Sequence, residues 1–254
     1  MARRQARFTV QELEGDPRLQ DESPALWNEE LGEVVRSLLT SAVRCFAMNG
    51  YHATTTRDIS GGVGLSPAAL YAHFPSKELV LYEIVRSGHE GAFAHIRHPS
   101  VTDAPDATEG LRALVSRYTA WHARHHVAAR VCQYELTGLT AEHYEEIIQL
   151  RHRTNEIFRD AVVRGIDDGA FAAVDCKRVV RCMLSLSIDL VRWYRLDGAD
   201  SPEQLGEFYA ELALRMVSRT VPPPAGGGDA TVRGGQAPGT GAGPVPVGAP
   251  DDAG

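Results

Sequence analysis

Tyr71-Ala72-His73, followed by Lys77, sets a phenol, an imidazole and an ammonium within about two helical turns. Such donors suit phosphate oxygens. Arg151 carries a second kind of chemistry. It falls inside the apolar stripe of Ile147, Thr154, Phe158, Ala161, Val162 and Gly165, where a charge needs an anionic partner. That partner is either an internal carboxylate such as Glu135 or the carboxylate or phosphate of a ligand. Tyr118, Trp121 and His122, with Tyr134 beyond, gather aromatic rings that are either core or one wall of a pocket. His122, His125 and His126 have no carboxylate or cysteine at ligand spacing, so no metal is expected. Cys45, Cys132, Cys176 and Cys182 form no C-x-x-C pair and read as buried thiols in a reducing compartment. No Gly-rich phosphate loop, G-x-S-x-G or H-E-x-x-H is present. Neither an enzyme nor a resident cofactor is expected.

The elements that must position these groups are helical. Leu31, Val34, Val35, Leu38, Leu39, Ala42, Val43, Cys45 and Phe46 recur at three- and four-residue steps, and Asn49-Gly50 closes that helix. The threonines at 54–56 offer a hydroxyl cap for a short helix reaching Val63. Gly64 breaks it, and Ser66-Pro67 opens another that ends near Phe74-Pro75. Ser76 caps a helix from Lys77 to about His95. Further helices run over 107–126 and on to Leu136, over 141–168, over 175–195, and from Pro202 to Val217. The expectation is an all-α protein of about nine helices. Residues 1–28 read as a flexible arm, 29–95 as a first domain, 106–220 as a second, and 221–254 as a disordered Pro/Gly/Ala-rich tail. No run has the length of a membrane span, and no secretory signal opens the chain, so a cytoplasmic protein is expected.

Within the first domain, residues 55–74 have the form of a helix-turn-helix. Ile59, Val63, Leu65, Leu70 and Phe74 turn inward. Ser66, Pro67, Ala68, Ala69, Tyr71 and His73 are left on or near the outside. Small residues at the start of the second helix let its backbone approach base edges in a major groove. Thr55, Thr56, Arg57, Ser66, Pro67, Ala68, Tyr71, His73 and Lys77 are the expected DNA contacts.

This stretch resembles the TetR family of bacterial repressors. The matching residues are Thr54-Thr55, Arg57-Asp58-Ile59-Ser60, Gly64-Leu65-Ser66, Leu70-Tyr71-Ala72-His73-Phe74 and Ser76-Lys77-Glu78-Leu79-Val80. Ser60 and Val63 stand where the family has alanines, Ala68 where glycine is common, and Gly61-Gly62 predicts a looser first short helix. The resemblance implies a dimer, a palindromic double-stranded DNA operator, and a helical C-terminal domain holding a small effector. Trp193-Tyr194-Arg195-Leu196-Asp197-Gly198 and Ser201-Pro202-Glu203-Gln204-Leu205 further resemble the subgroup governing fatty-acid and steroid breakdown, with Leu196 replacing a proline. That subgroup responds to acyl-CoA thioesters.

The rest of the second domain is compatible with both implications. The 175–195 helix is apolar around most of its circumference, including Met183 and Trp193, and needs cover on several sides. A homodimer through this helix and the last one would supply it. Arg181, Ser185, Asp189 and Arg192 form a narrow polar strip that is either solvated or part of a cavity. The expected effector residues are Tyr118, Trp121, His122, Tyr134, Arg151, Met183, Arg192 and Trp193. A hydrophobic drug-like effector of an efflux regulator is the alternative to a thioester. A formal net charge of −7 argues against a third reading, an architectural DNA-binding protein.

Overall fold

The computed structural model describes residues 9–219. The expected tail at 221–254 and the first eight residues of the expected arm lie outside them. The described residues hold eleven α-helices and no strand. They are α1 (Val10–Gly15), α2 (Glu33–Ala53), α3 (Thr56–Gly61), α4 (Pro67–Tyr71), α5 (Lys77–Ile96) and α6 (Pro99–Thr102). Then come α7 (Ala107–Arg124), α8 (His126–Tyr134), α9 (Ala141–Asp167), α10 (Cys176–Asp189) and α11 (Pro202–Val217). Against the expected nine, the additions are the short α1 and α6. None of these helices is long and apolar enough to cross a membrane.

The expected flexible arm is overturned over residues 9–28. Leu13, Leu19 and Trp27 are buried, and the Trp27 indole donates to Thr40 Oγ1 at 2.8 Å. Asp21 Oδ2 accepts from Val127 N at 2.9 Å, capping the start of α8, and Glu22 N donates to Arg124 O at 2.9 Å. Sparse apolar residues hid this segment. Its few large side chains all find sites on other elements.

The expected boundary at 98–106 is also softer than its prolines imply. α6 forms there, and Val101 is buried. Two hydrophobic cores exist, but α5 and α8 serve both. Ile84, Val85, Val127 and Val131 belong to the core around Phe46, while Ala92, Ile96 and Ala129 belong to the core around Phe158. α7 and α11 approach so closely that a Cβ on Gly206 would lie 2.5 Å from the Ser116 carbonyl oxygen.

Candidate functional site

The reading unit is assembled from local signals. Thr55 caps α3 reciprocally: its hydroxyl accepts from Asp58 N at 3.2 Å, and Asp58 Oδ2 accepts from Thr55 N at 2.9 Å. Gly64, at φ +69°, makes the turn that a side chain would strain. Ser66 Oγ accepts from Ala69 N, and Pro67 occupies the first turn of α4. Ile59 and Leu70 are fully buried, Phe74 nearly so, and Val63 and Leu65 half-buried. α3 stops at Gly61, short of the Val63 expected, and Gly62 is its C-terminal cap. A Cβ on Gly62 would meet Leu13 Cδ1 at 2.6 Å and collide with Ser41 Oγ, so this glycine lets α1, α2 and α3 close on one another.

The outward face carries most of the expected contacts. Thr55, Arg57, Ser66, Ala68, Tyr71 and His73 are exposed, with Thr56 and Pro67 half-exposed beside them. Tyr71 is 52% exposed, and its hydroxyl lies 3.4 Å from Thr56 Oγ1, which joins α3 to α4 at that surface. Lys77 does not join them. Its ammonium donates to Tyr51 O at 2.7 Å and Thr54 O at 2.8 Å and sits 4.1 Å over the Tyr51 ring. Burial there pushes its pKa down. Lys77 thus ties the start of α5 to the extended link before α3, because α2 ends at Ala53 and its last carbonyls lack their full set of helical donors.

A cavity of about 670 Å³ opens among α5, α7, α8, α9 and α10. That volume lies within the ~300–1,000 Å³ usual for ligand sites. Its floor is neutral and buried: Gly88, Tyr118, Trp121, His122 and Cys132. Its mouth is polar and includes the exposed Lys177, Arg181, Ser185 and Asp189. Tyr118, Trp121, His122, Tyr134 and Arg151 line it, and so does most of the polar strip on α10. Met183, Arg192 and Trp193 do not. Met183 is 1% exposed inside the core. The helix tightens into a 3₁₀ turn at Leu190–Arg192, which swings Trp193 outward to 53% exposure and leaves Arg192 paired with Asp189 at 3.5 Å.

Arg151 reaches its site without the expected internal partner. Glu135 is engaged elsewhere, accepting from Tyr51 N at 2.8 Å. Arg151 Nη2 donates to Gln133 Oε1 at 2.5 Å, and no carboxylate pairs with it among the described residues. Lys177 and Arg181 likewise have no ion pair among the described residues. Three cations at one cavity with this little compensation favour an anion.

His89 is among the lining residues that the sequence did not single out. α5 shows no break in its helical pattern to mark it, although Gly88 beside it is a signal. A Cβ at 88 would press on Cys132 Sγ at 2.6 Å. Burial, with Arg151 nearby, lowers both His89 and His122 to about 4. Burial raises the Cys132 thiol to about 12, so it stays protonated and inert.

Residues 38–84 match the family described as "Bacterial regulatory proteins, tetR family", and residues 104–217 match "Tetracyclin repressor-like, C-terminal domain". The HTH-type transcriptional repressor KstR2 of Rhodococcus jostii (strain RHA1) is 32% identical over 180 residues, covering 70% of this chain and 87% of that one. A tetR-family regulatory protein from Rhodococcus RHA1 has a solved structure with TM-score 0.69 and 34% identity, spanning 74% of this chain and 98% of its own. The ketosteroid transcriptional regulator KstR2 of Mycobacterium tuberculosis also superposes with TM-score 0.69, at 28% identity, over 75% of this chain and 97% of its own. With a helix-turn-helix facing outward and a cavity behind it, the chain belongs to the TetR family and is a DNA-binding transcriptional regulator, not an enzyme.

Proposed function

We propose that the protein is a cytoplasmic repressor that holds a palindromic operator as a homodimer and lets go when an acyl-CoA thioester fills the cavity. One observation carries this reading: α5 belongs to both sites. At its start, Lys77 anchors the link that leads into α3. Further along, Gly88, His89 and Ala92 form cavity wall. The helix is 20 residues long, ~30 Å at 1.5 Å per residue, and acts as a lever. A ligand that pushes on Gly88 and His89 moves the reading unit without touching it.

The ligand chemistry follows from the charges. A thioester of CoA pairs an apolar acyl part with a polyanionic nucleotide. The aromatic floor suits the first, and Arg151, Lys177 and Arg181 suit the second. Relatives named as KstR2 transcriptional repressors agree with repression as the output. Dimerisation through α10 and α11 is supported by apolar side chains left in the open. Leu186, Trp193 and Phe208 are 41%, 53% and 59% exposed. Two reading helices ~34 Å apart, or a multiple of that, would match one operator repeat.

The ligand must bind the DNA-incompetent state more tightly, or it shifts nothing. A coupling of ~1–3 kcal/mol would weaken operator affinity about 5- to 150-fold. The test is operator binding by the full chain with and without saturating lauroyl-CoA. Release at that scale supports the proposal. A drug-like uncharged compound that releases DNA where no thioester does would replace the effector while leaving the lever in place.

A further inference from the structure

We infer that the floor of the cavity selects an acyl group that carries a hydroxyl, gripped by His89, His122 and Tyr118. The inference rests on the thioester reading above, and the test below separates the two. It starts from which floor groups are already engaged. Thr154 Oγ1 donates to Leu150 O at 3.3 Å. The Cys132 thiol points to Ile84 O. What remains are two imidazoles, a phenol and the Trp121 indole N–H, of which only the imidazoles are pure acceptors.

The tautomer of each histidine is fixed by its neighbour. His89 Nδ1 lies 2.8 Å from Val85 O, and His122 Nδ1 lies 2.8 Å from Tyr118 O. A carbonyl oxygen only accepts, so each Nδ1 carries the hydrogen. The rings are neutral near pH 7, since burial holds both near 4. Each Nε2 is therefore a bare lone pair, an acceptor and nothing else. Neither Nε2 has a hydrogen-bond partner among the described residues, and both rings line the cavity. Tyr118 stacks at a tilt 4.3 Å from His122 and lines the same floor. Its hydroxyl has no hydrogen-bond partner among the described residues.

A plain alkyl chain would take both acceptors out of contact with water and satisfy neither, which is unfavourable. A ligand hydroxyl satisfies one of the two: it donates to one imidazole and accepts from the Tyr118 phenol, and the other imidazole keeps its place at the cavity wall. A site built to hydrogen-bond a hydroxyl discriminates strongly against the analogue that lacks one. Burial, which keeps these imidazoles unprotonated, also keeps them acceptors, and the charge of Arg151 adds a smaller push in the same direction. His89 and His122 are thus specificity-determining residues, distinct from the cations that hold the nucleotide.

The test compares two matched pairs of probes on the full chain by isothermal titration: lauroyl-CoA against ω-hydroxylauroyl-CoA, and lauric acid against ω-hydroxylauric acid. The expected result is a preference of about tenfold or more for the hydroxylated member. His89→Phe and His122→Phe should erase that preference while leaving the plain chain bound as well or better. A merely structural role would weaken both members alike. Equal affinity within both pairs in the unsubstituted protein overturns the inference and leaves the thioester reading standing. A preference within the acid pair, with neither thioester bound, upholds the inference and removes the thioester. If none of the four probes binds, both fall.

Discussion

The reading unit and the cavity are held together by opposite means. Every cap of the reading unit is local: Thr55 with Asp58, Ser66 with Ala69 and Ser76 with Leu79 are each three residues apart. The cavity is gathered from five helices, and its fasteners span long stretches of chain. Glu78 Oε1 lies 2.7 Å from His143 Nδ1, Tyr82 stacks on His143 at 3.8 Å, and the Tyr82 hydroxyl bonds Glu146. Local caps give a shape that stays the same in any state of the protein. Long-range fasteners give one that can shift. The proposed release by ligand requires a rigid reader and a deformable sensor, and this division of fasteners suits it.

Acid should separate them most sharply. Burial lowers His89, His95, His122 and His125 to about 4, and all four lie on α5 and α7 or at the α7–α8 junction. The folded state favours the neutral rings, so the unfolded chain takes up protons first as pH drops below ~6.5. Stability is full above that value and is lost as pH falls towards about 4. Several kcal/mol are at stake, a fall in Tm of about 10 °C or more. A flat Tm from pH 7 to 4 would show that these rings are wetter than the cavity geometry implies.

Phe46→Ala and Phe158→Ala probe whether the regions unfold together. Each removes a buried ring from one of the two cores and should cost about 3–5 kcal/mol. Because α5 and α8 contribute to both cores, each variant should lower a single calorimetric transition. Two resolved transitions would break the lever argument.

Lys77→Ala removes a charged donor from two carbonyls and should cost about 1.5–3 kcal/mol, with operator affinity falling as a consequence. An unchanged Tm with weakened DNA binding would return Lys77 to the phosphate contacts. Arg151→Ala should lower affinity for a CoA thioester about tenfold while changing folding stability by roughly 1 kcal/mol or less, because its one side-chain partner is the neutral Gln133. Tyr71→Ala should have the smallest effect. Operator affinity is expected to fall a few-fold to about tenfold with no change in Tm, since the ring is already half in solvent.

The difference between the regions also explains what could be read in advance. Helix starts at Thr55, Ser66, Ser76 and Ser201 were legible because a cap is a short-range pattern. So was the inward or outward sense of most residues from Ile59 to Phe74. Arg151 was legible as an anomaly, a charge within an apolar stripe. Its partner was not, because Gln133 and Glu135 sit two residues apart on the chain, and only packing decides which of them it meets. Lys77 misled for the same reason. Its type and place at a helix start fit a phosphate contact, yet the carbonyls at Tyr51 and Thr54 reach it first.

By itself the sequence determined an all-helical chain, the reading unit and its outward face, and an arginine in want of an anion. These follow from periodicity, caps and composition, which act over a few residues. The tertiary structure alone decided that residues 9–28 pack against the rest, that Trp193 leaves the cavity, and that His89 joins it. It also decided that α5 spans both sites. Each of those outcomes depends on which surfaces meet across tens of residues, where small differences in packing and hydrogen bonding choose among arrangements that the local pattern leaves equal.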